Sequence, residues 1–368
     1  MIISIPFSSN REVNKSNDQD YNAASPEVSE MQSLLVKIET EQGLIGWGES
    51  FGHLINPVTF SALKKVVAPF FINQSFSTVD ELKSLIHQAE KSLHGFGRTG
   101  PIRYAISAID IALWDLLSKA NQLPLWKFLG GTRQKIELYP SLVNYGDNIQ
   151  GLNKTLQQVI EAGYREIKVH ETKISTIKLI REILPDDVDL SVDLNCIWNI
   201  DEASVHFDEL KDLHLKWIEE PLWSPDNLAG LSKLREKGIP IAAGENANGE
   251  IDFLNFQKYH AVDIFQPSVT KIGGITAILH LLDLAKESEI QIIPHCFYYG
   301  AGMLATAHII SMLNEDIKLE VPFIKFKSNV HPILNYKKEI NLTDVPGLGF
   351  DPDLEIINKN IIKYYSCV

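Results

Sequence analysis

The stretch "GLNKTLQQVIEAGYREIKVHE", residues 151–171, holds one complete structural unit. Leu152, Leu156, Val159 and Ile160 make the apolar face of a helix, and Gly163 sits where a left-handed C-cap closes one. The run "EIKV" that follows has the length and composition of a strand. Lys168 and His170 lie two residues apart along it, so both side chains leave the same face. A lone Lys or His at a strand end more often faces solvent than does chemistry. The neighbouring segments change that reading.

"SPDNLAGLSKLREKG" (224–238) repeats the design, with Ser224 as the expected N-cap, Pro225 in the first turn and Gly238 at the close. Between such helices lie "LSVDL", "LKWIE", "PIAAG", "VDIFQ", "IQIIP" and "IKLE". Strand alternating with helix implies parallel pairing. Polar residues close these strands at Lys168, Asp193, Glu219, Glu245, Ser268, His295 and Glu320, spaced 23 to 27 residues apart. So even a period reads as equivalent units around an axis. With "ELYPSLV" (137–143) placed before Lys168 there are eight strands, which predicts a (β/α)7β-type TIM barrel over residues 131–321. An open doubly wound sheet would concentrate its chemistry at one switch point, whereas here every strand end is polar.

Residues 1–130 have a different texture, α+β in character. "SLLVKIET" (33–40) alternates, "EQG" turns and "LIGWGES" (44–50) returns as a hairpin. Residues 9–27 are polar without periodicity and read as a loop, and helices are expected at 78–93 and 101–121, the second with Ile106, Ile109, Ala112, Leu113 and Leu116 on one stripe. The tail, 322–368, leaves the barrel rhythm and is expected to fold back on the first region, completing a capping domain.

The apolar fraction of 45% over 368 residues supports a sizeable core, and the net charge of −13 argues against a nucleic-acid or anionic-membrane partner. Cys196, Cys296 and Cys367 are too few and too scattered for a disulfide framework or a zinc site. "MIISIPFSSN" lacks the basic start of a signal peptide, and no run reaches membrane-span length. A cytoplasmic protein is expected.

Asp193, Glu219 and Glu245 close three successive strands, and together at a barrel mouth they would repel one another unless a cation neutralised them. Hard oxygen ligands suit Mg²⁺, with Mn²⁺ as a substitute. Glu220 beside Glu219 leaves open which of the two ligates. Asn195 shares the face of Asp193, and Asn246 follows Glu245. A divalent ion flanked by Lys168 and His170 on one side and His295 on the other can hold a carboxylate while a base moves the proton on the adjacent carbon. Lys168 would serve as that base only if nearby cations lowered its pKa.

These residues, with "GLIGWGES", "AISAIDIALWDLLSKANQLPLWKFLGG" (105–131), "DLNCIW", "WIEEP", "GEN", "DIFQPSVTKIGG", "PHCFYYG" and "VPGLGFDPD" in order, resemble the mandelate racemase/muconate lactonising branch of the enolase superfamily over nearly the whole chain. The resemblance implies that Asp193, Glu219 and Glu245 are the metal ligands, that Lys168 contacts the substrate carboxylate, and that His170 stands where the family places a catalytic Lys. It makes His295 the histidine on the seventh strand and Glu320 the acid on the eighth. The region before 30 and "SFGHLI" (50–55), with His53, match loops that select substrate. Asn195, Ser268, Lys271 and His53 are the candidate substrate-facing residues, although Lys271 in "SVTKIGG" also reads as a turn residue. "KIGG" reads as a tight strand-to-helix turn, and Trp198, Trp223, Tyr298 and Tyr299 as either pocket wall or loop packing.

Two departures matter. His at 170 is a base with a pKa nearer neutrality and a choice of tautomer. Ser268 stands where relatives carry an Asp that orients the histidine, which suits His295 to protonating a leaving hydroxyl. The expected reaction is Mg²⁺-dependent dehydration of a hydroxy-carboxylic acid, an acid sugar or a related compound, to a 2-keto-3-deoxy acid. The alternatives are a racemase or epimerase of a hydroxy acid or proline-type amino-acid derivative, and a non-catalytic carboxylate-binding protein. Small-molecule carboxylates are the expected partners, in a homo-oligomer.

Overall fold

A computed structural model describes residues 1–8, 29–286, 288, 290–334 and 337–367. The loop read at 9–27, and most of the substrate-selecting region before 30, lie outside the described residues.

Strands β1 (Ile2–Ser8), β2 (Glu30–Glu39) and β3 (Ile45–Ser50) form an antiparallel sheet, in which Val36 pairs with Gly48 across the hairpin turned by residues 41–43. Eight parallel strands follow in a curled sheet: β4 (Lys135–Ser141), β5 (Glu166–Val169), β6 (Asp189–Asp193), β7 (Trp217–Glu219), β8 (Ile241–Ala243), β9 (Ile264–Phe265), β10 (Gln291–Ile292) and β11 (Leu319–Pro322). Chain order is spatial order from β4 to β10, with β11 against the far edge of β4. That arrangement is the TIM-barrel-like sheet the period predicts. Beyond it, β12 (Lys325–Phe326) and β14 (Ile361–Lys363) pair with β1, so the tail joins the first sheet, while β13 (Glu339–Asn341) pairs with β4.

Helix α1 (Val79–Leu93) opens with a capping box in which Thr78 and Glu81 satisfy each other's backbone N–H groups. The next helix, α2 (Pro101–Ala120), buries far more than one stripe: nearly every residue from Ala105 to Ser118 is inaccessible. Sandwiching between sheet and barrel is the reason. On one side it lies so close to β3 that a Cβ on Gly48 would fall 1.9 Å from the Ala108 carbonyl oxygen. On the other, the Trp114 indole N–H donates to Thr276 Oγ1 at 2.9 Å. The second glycine of "KIGG", Gly274, has φ +89 and no room for a side chain because Asp110 lies against it.

Around the barrel run α3 (Ile149–Glu161), α4 (Ile174–Ile183), α5 (Ile200–Leu210), α6 (Leu228–Arg235), α7 (Glu250–Lys258), α8 (Gly274–Ala285) and α9 (Ala301–Ile310). Gly163 follows α3 with φ +80, as its C-cap reading requires. The N-cap of α6 is a correction: Asn227, not Ser224, accepts the first-turn N–H, from Gly230 at 3.0 Å. Ser224 instead holds the preceding turn through Asp226. Both are good cap residues, and the turn chooses between them. Among the described residues, no helix is long and apolar enough to cross a membrane.

Candidate active site

Parallel register brings the strand ends together. Asp193 pairs directly with Glu219 across β6 and β7, and Glu245 follows β8 by two residues. One ligand atom from each of Asp193, Glu219 and Glu245 lies within 4.8 Å of the others. The loops leaving this mouth bend sharply: Asn195, Cys196 and Glu220 have φ of 43, 61 and 42. Left-handed backbone at three non-glycine residues costs free energy and is concentrated here.

Glu219 is fully buried. Its Oε2 accepts from Lys168 Nζ at 2.9 Å and Gln266 Nε2 at 2.8 Å, whereas Oε1 has no hydrogen-bond partner among the described residues. Burial, then repulsion from Asp193, pushes its pKa well above the carboxylate range. An acceptor oxygen without a donor, aimed among two further carboxylates, is what a hard divalent cation satisfies. Mg²⁺ therefore fits the donor set, with Asp193, Glu219 and Glu245 to hold it.

Glu220 takes the other direction. Asn246 Nδ2 donates to its two oxygens at 3.2 and 3.4 Å, and Cys196 Sγ lies 3.7 Å away. Burial, then Glu245 and Asp193, lifts its pKa to about 8.

Lys168 touches Glu219, Glu320 and Asp193 at 2.9, 2.8 and 3.4 Å. Burial opposes its charge, but three carboxylates overwhelm that cost and hold its pKa well above the usual lysine value. Those acids favour the ammonium over the free amine that a base needs. His170 is better placed. Its Nδ1 donates to the Leu142 carbonyl, which can only accept, and Nε2 faces the site 3.2 Å from Asp193 Oδ2. Burial lowers its pKa, Asp193 more than offsets this, and the net shift is upward. Asn144 anchors the His170 carbonyl at 2.7 Å.

Across the triad, His295 Nε2 is 2.9 Å from Glu245 Oε2. Its Nδ1 lies 3.3 Å from the Tyr298 hydroxyl, which also hydrogen-bonds Ser268. Tyr298, which the sequence leaves as pocket wall or loop packing, is thus a direct partner of His295. Glu320 Oε2 accepts from the Cys296 backbone N–H at 3.0 Å, and Glu320 Oε1 meets Lys168.

Lys271 is more than a turn residue. Its ammonium reaches Asn246 Oδ1 at 2.9 Å and Glu245 Oε1 at 3.7 Å, and lies 4.2 Å above the Phe51 ring. Phe51 stacks edge-on to His53, whose pKa falls to about 4 through burial, then Lys271 and His295. Asn195 caps the triad by its backbone, donating N–H to Asp193 Oδ1 at 3.0 Å. Trp198 is buried against His206, while Trp223 is 72% exposed.

A barrel with a carboxylate triad between histidines defines a class: enzymes that hold a carboxylic acid on a divalent ion and move protons beside it. The family models agree. Residues 11–130 match the mandelate racemase/muconate lactonizing enzyme N-terminal domain, and residues 151–356 match the enolase C-terminal domain-like model. The chain belongs to the mandelate racemase/muconate lactonizing enzyme family of the enolase superfamily. It is 27% identical to an arabinonate dehydratase of Saccharolobus solfataricus over 92% of this chain and 91% of that one. A D-galactarolactone cycloisomerase of Agrobacterium fabrum is 26% identical, over 93% and 94%. A racemase from Streptomyces coelicolor, solved with bound magnesium, shares the fold with a TM-score of 0.81 at 23% identity, covering 98% of this chain and 99% of that one.

Proposed function

We propose that this enzyme dehydrates an acid sugar or related hydroxy acid to a 2-keto-3-deoxy acid. The observation that carries the reading is the asymmetry of the two histidines. His170 Nδ1 meets a carbonyl that can only accept, which puts the proton there and leaves Nε2 free to take one, whereas His295 Nδ1 meets a hydroxyl that can donate, so its Nε2 can carry a proton. The first suits a base and the second a proton donor. The similarity to a sugar-acid dehydratase supports the same choice.

Mg²⁺ held by Asp193, Glu219 and Glu245 would supply electrostatic stabilisation of the enolate formed from the substrate carboxylate. Lys168, kept cationic by its carboxylates, neutralises the same group from the other side. His170 Nε2 takes the α-proton, and His295 Nε2 delivers a proton to the β-hydroxyl, which leaves as water. The remaining enol ketonises to the 2-keto acid. His53, Lys271 and Asn195 face the substrate from the cap side and the loop after β6. Mn²⁺ is the substitute metal in this scheme, and a cytoplasmic homo-oligomer is the proposed form; light scattering checks the oligomeric state.

A racemase or epimerase is the second reading, favoured by histidines on both sides of the triad, at Asp193 and at Glu245. Proton NMR of the Mg²⁺-loaded protein in D₂O with aldonic and aldaric acids decides. Loss of the α-proton with new C3 methylene signals establishes dehydration. Exchange with all hydroxyls retained establishes epimerisation, and tight binding with neither establishes a carboxylate-binding protein.

A further inference from the structure

Ser268 cannot supply the carboxylate that the family resemblance places beside His295, and the structure fills that place from elsewhere. Tyr298 lies three residues beyond His295, yet the loop after β10 turns its hydroxyl back to 3.3 Å from His295 Nδ1. The two rings meet edge-on at 82° with centroids 5.7 Å apart. Ser268 Oγ hydrogen-bonds the same phenol, and Ser268 is itself the bridge partner of His295 across neighbouring strands. Ser268, Tyr298 and His295 are all buried, at 1%, 4% and 5% exposure, so solvent does not compete for these contacts.

We propose that Tyr298, held in place by Ser268, is the positioning residue for His295. It fixes the plane of the imidazole so that Nε2 points at the carboxylate triad. The inference rests on the dehydratase reading in one respect, that His295 is the group delivering the proton. A hydroxyl differs here from a carboxylate. It can donate or accept, so the contact persists whichever ring nitrogen carries the proton, and it brings no charge to the ring. Ser268 gives the phenol a second partner and restricts its rotation.

Tyr298→Phe keeps the ring and removes the hydroxyl. Elimination kcat is expected to fall about tenfold, the loss of one orienting hydrogen bond, with KM within about twofold. Exchange of the α-proton falls less, so the ratio of elimination to exchange drops. Adding Ser268→Asp to the Tyr298→Phe background places a carboxylate beside the ring and is expected to recover most of the lost kcat. A KM increase with unchanged kcat, an unchanged ratio, or failure of this rescue would overturn the proposal, since pocket wall or general packing would then explain Tyr298. Should Tyr298→Phe not fold, Ser268→Ala tests the same support, with an expected fall of about threefold in the same ratio.

One readout needs no substrate. In the resting Mg²⁺-loaded protein labelled with ¹⁵N in its imidazoles, the His295 Nδ1 resonance, identified by its loss in His295→Asn, is expected to move in Tyr298→Phe while that of His170 stays. A stationary His295 resonance overturns the proposal. If the wild-type protein turns over no acid at all, the dehydratase reading falls and this spectrum alone decides the positioning.

Discussion

Two clusters of buried carboxylates in the molecule have different neighbours. At the seam between the first sheet and the barrel, each acid has its own donors. Glu49 accepts from the Gly302 N–H at 2.8 Å and from the Ser33 hydroxyl, and Asp110 from the Thr276 N–H at 3.1 Å and its hydroxyl. Asp115 accepts from Trp47 N at 2.8 Å, Leu348 N at 2.6 Å and Lys119 Nζ at 2.8 Å. At the barrel mouth, the acids face one another, three of them share Lys168, and Glu219 Oε1 has no donor among the described residues. Burial penalises both groups alike. The seam acids are structural bolts at helix starts and backbone turns, while the mouth acids form the triad we propose for a cation that only binding supplies.

The largest effect expected from this contrast is at Glu219. Glu219→Gln should abolish Mg²⁺ binding by calorimetry and lower turnover by about 10³-fold or more. In the wild type, Mg²⁺ at a hundred times its Kd should add about 2.7 kcal/mol of stability. That increment should vanish in Glu219→Gln and survive in Glu49→Gln. A Mg²⁺-dependent rise in Tm that persists in Glu219→Gln would break the comparison.

A smaller effect belongs to the seam. Burial lifts Glu49 from its ordinary pKa of 4.5 to about 7, against the opposing hydrogen bonds from Ser33 and Gly302. The folded state therefore holds this proton more tightly than the unfolded chain does. Its contribution to stability is fully present below pH 4.5 and is lost as pH rises through 7, by about 3 kcal/mol in all. Glu49→Gln, uncharged throughout, should remove that part of the decline. Denaturant unfolding of both proteins at pH 5 and pH 8 checks it, and parallel curves would show that Glu49 ionises normally.

The two regions were unequally legible. A period near 25 residues makes strand ends visible because equivalent units repeat, and side-chain alternation places Lys168 with His170 without knowledge of the fold. Asp193, Glu219 and Glu245 follow from the same count. What one strand cannot show is what crosses to it. Lys271 reads as a turn residue because the turn over 269–273 is local, but its ammonium returns over Phe51 of the opposite domain. Tyr298 reaches His295 only through a loop whose path sequence spacing does not encode. The roles of Glu49 and Asp110 depend on where α2 wedges between two sheets, a long-range packing fact.

The smallest expected effect sharpens the boundary of the mouth cluster itself. Glu220 is adjacent in sequence to a proposed ligand, as buried as its neighbour, and just as acidic in composition. Register separates them: Glu219 pairs with Asp193 on the inner face, and the left-handed turn at Glu220 sends its carboxyl to Asn246 and Cys196. Glutamine keeps the shape and an oxygen to accept from Asn246, so Glu220→Gln should retain Mg²⁺ affinity and turnover within about threefold. The pair of isosteric substitutions, one residue apart, then differs by more than two orders of magnitude in activity. Loss of Mg²⁺ binding in Glu220→Gln would mean that the cation draws on both glutamates, and that the difference between the two regions lies in the number of acids gathered rather than in their orientation.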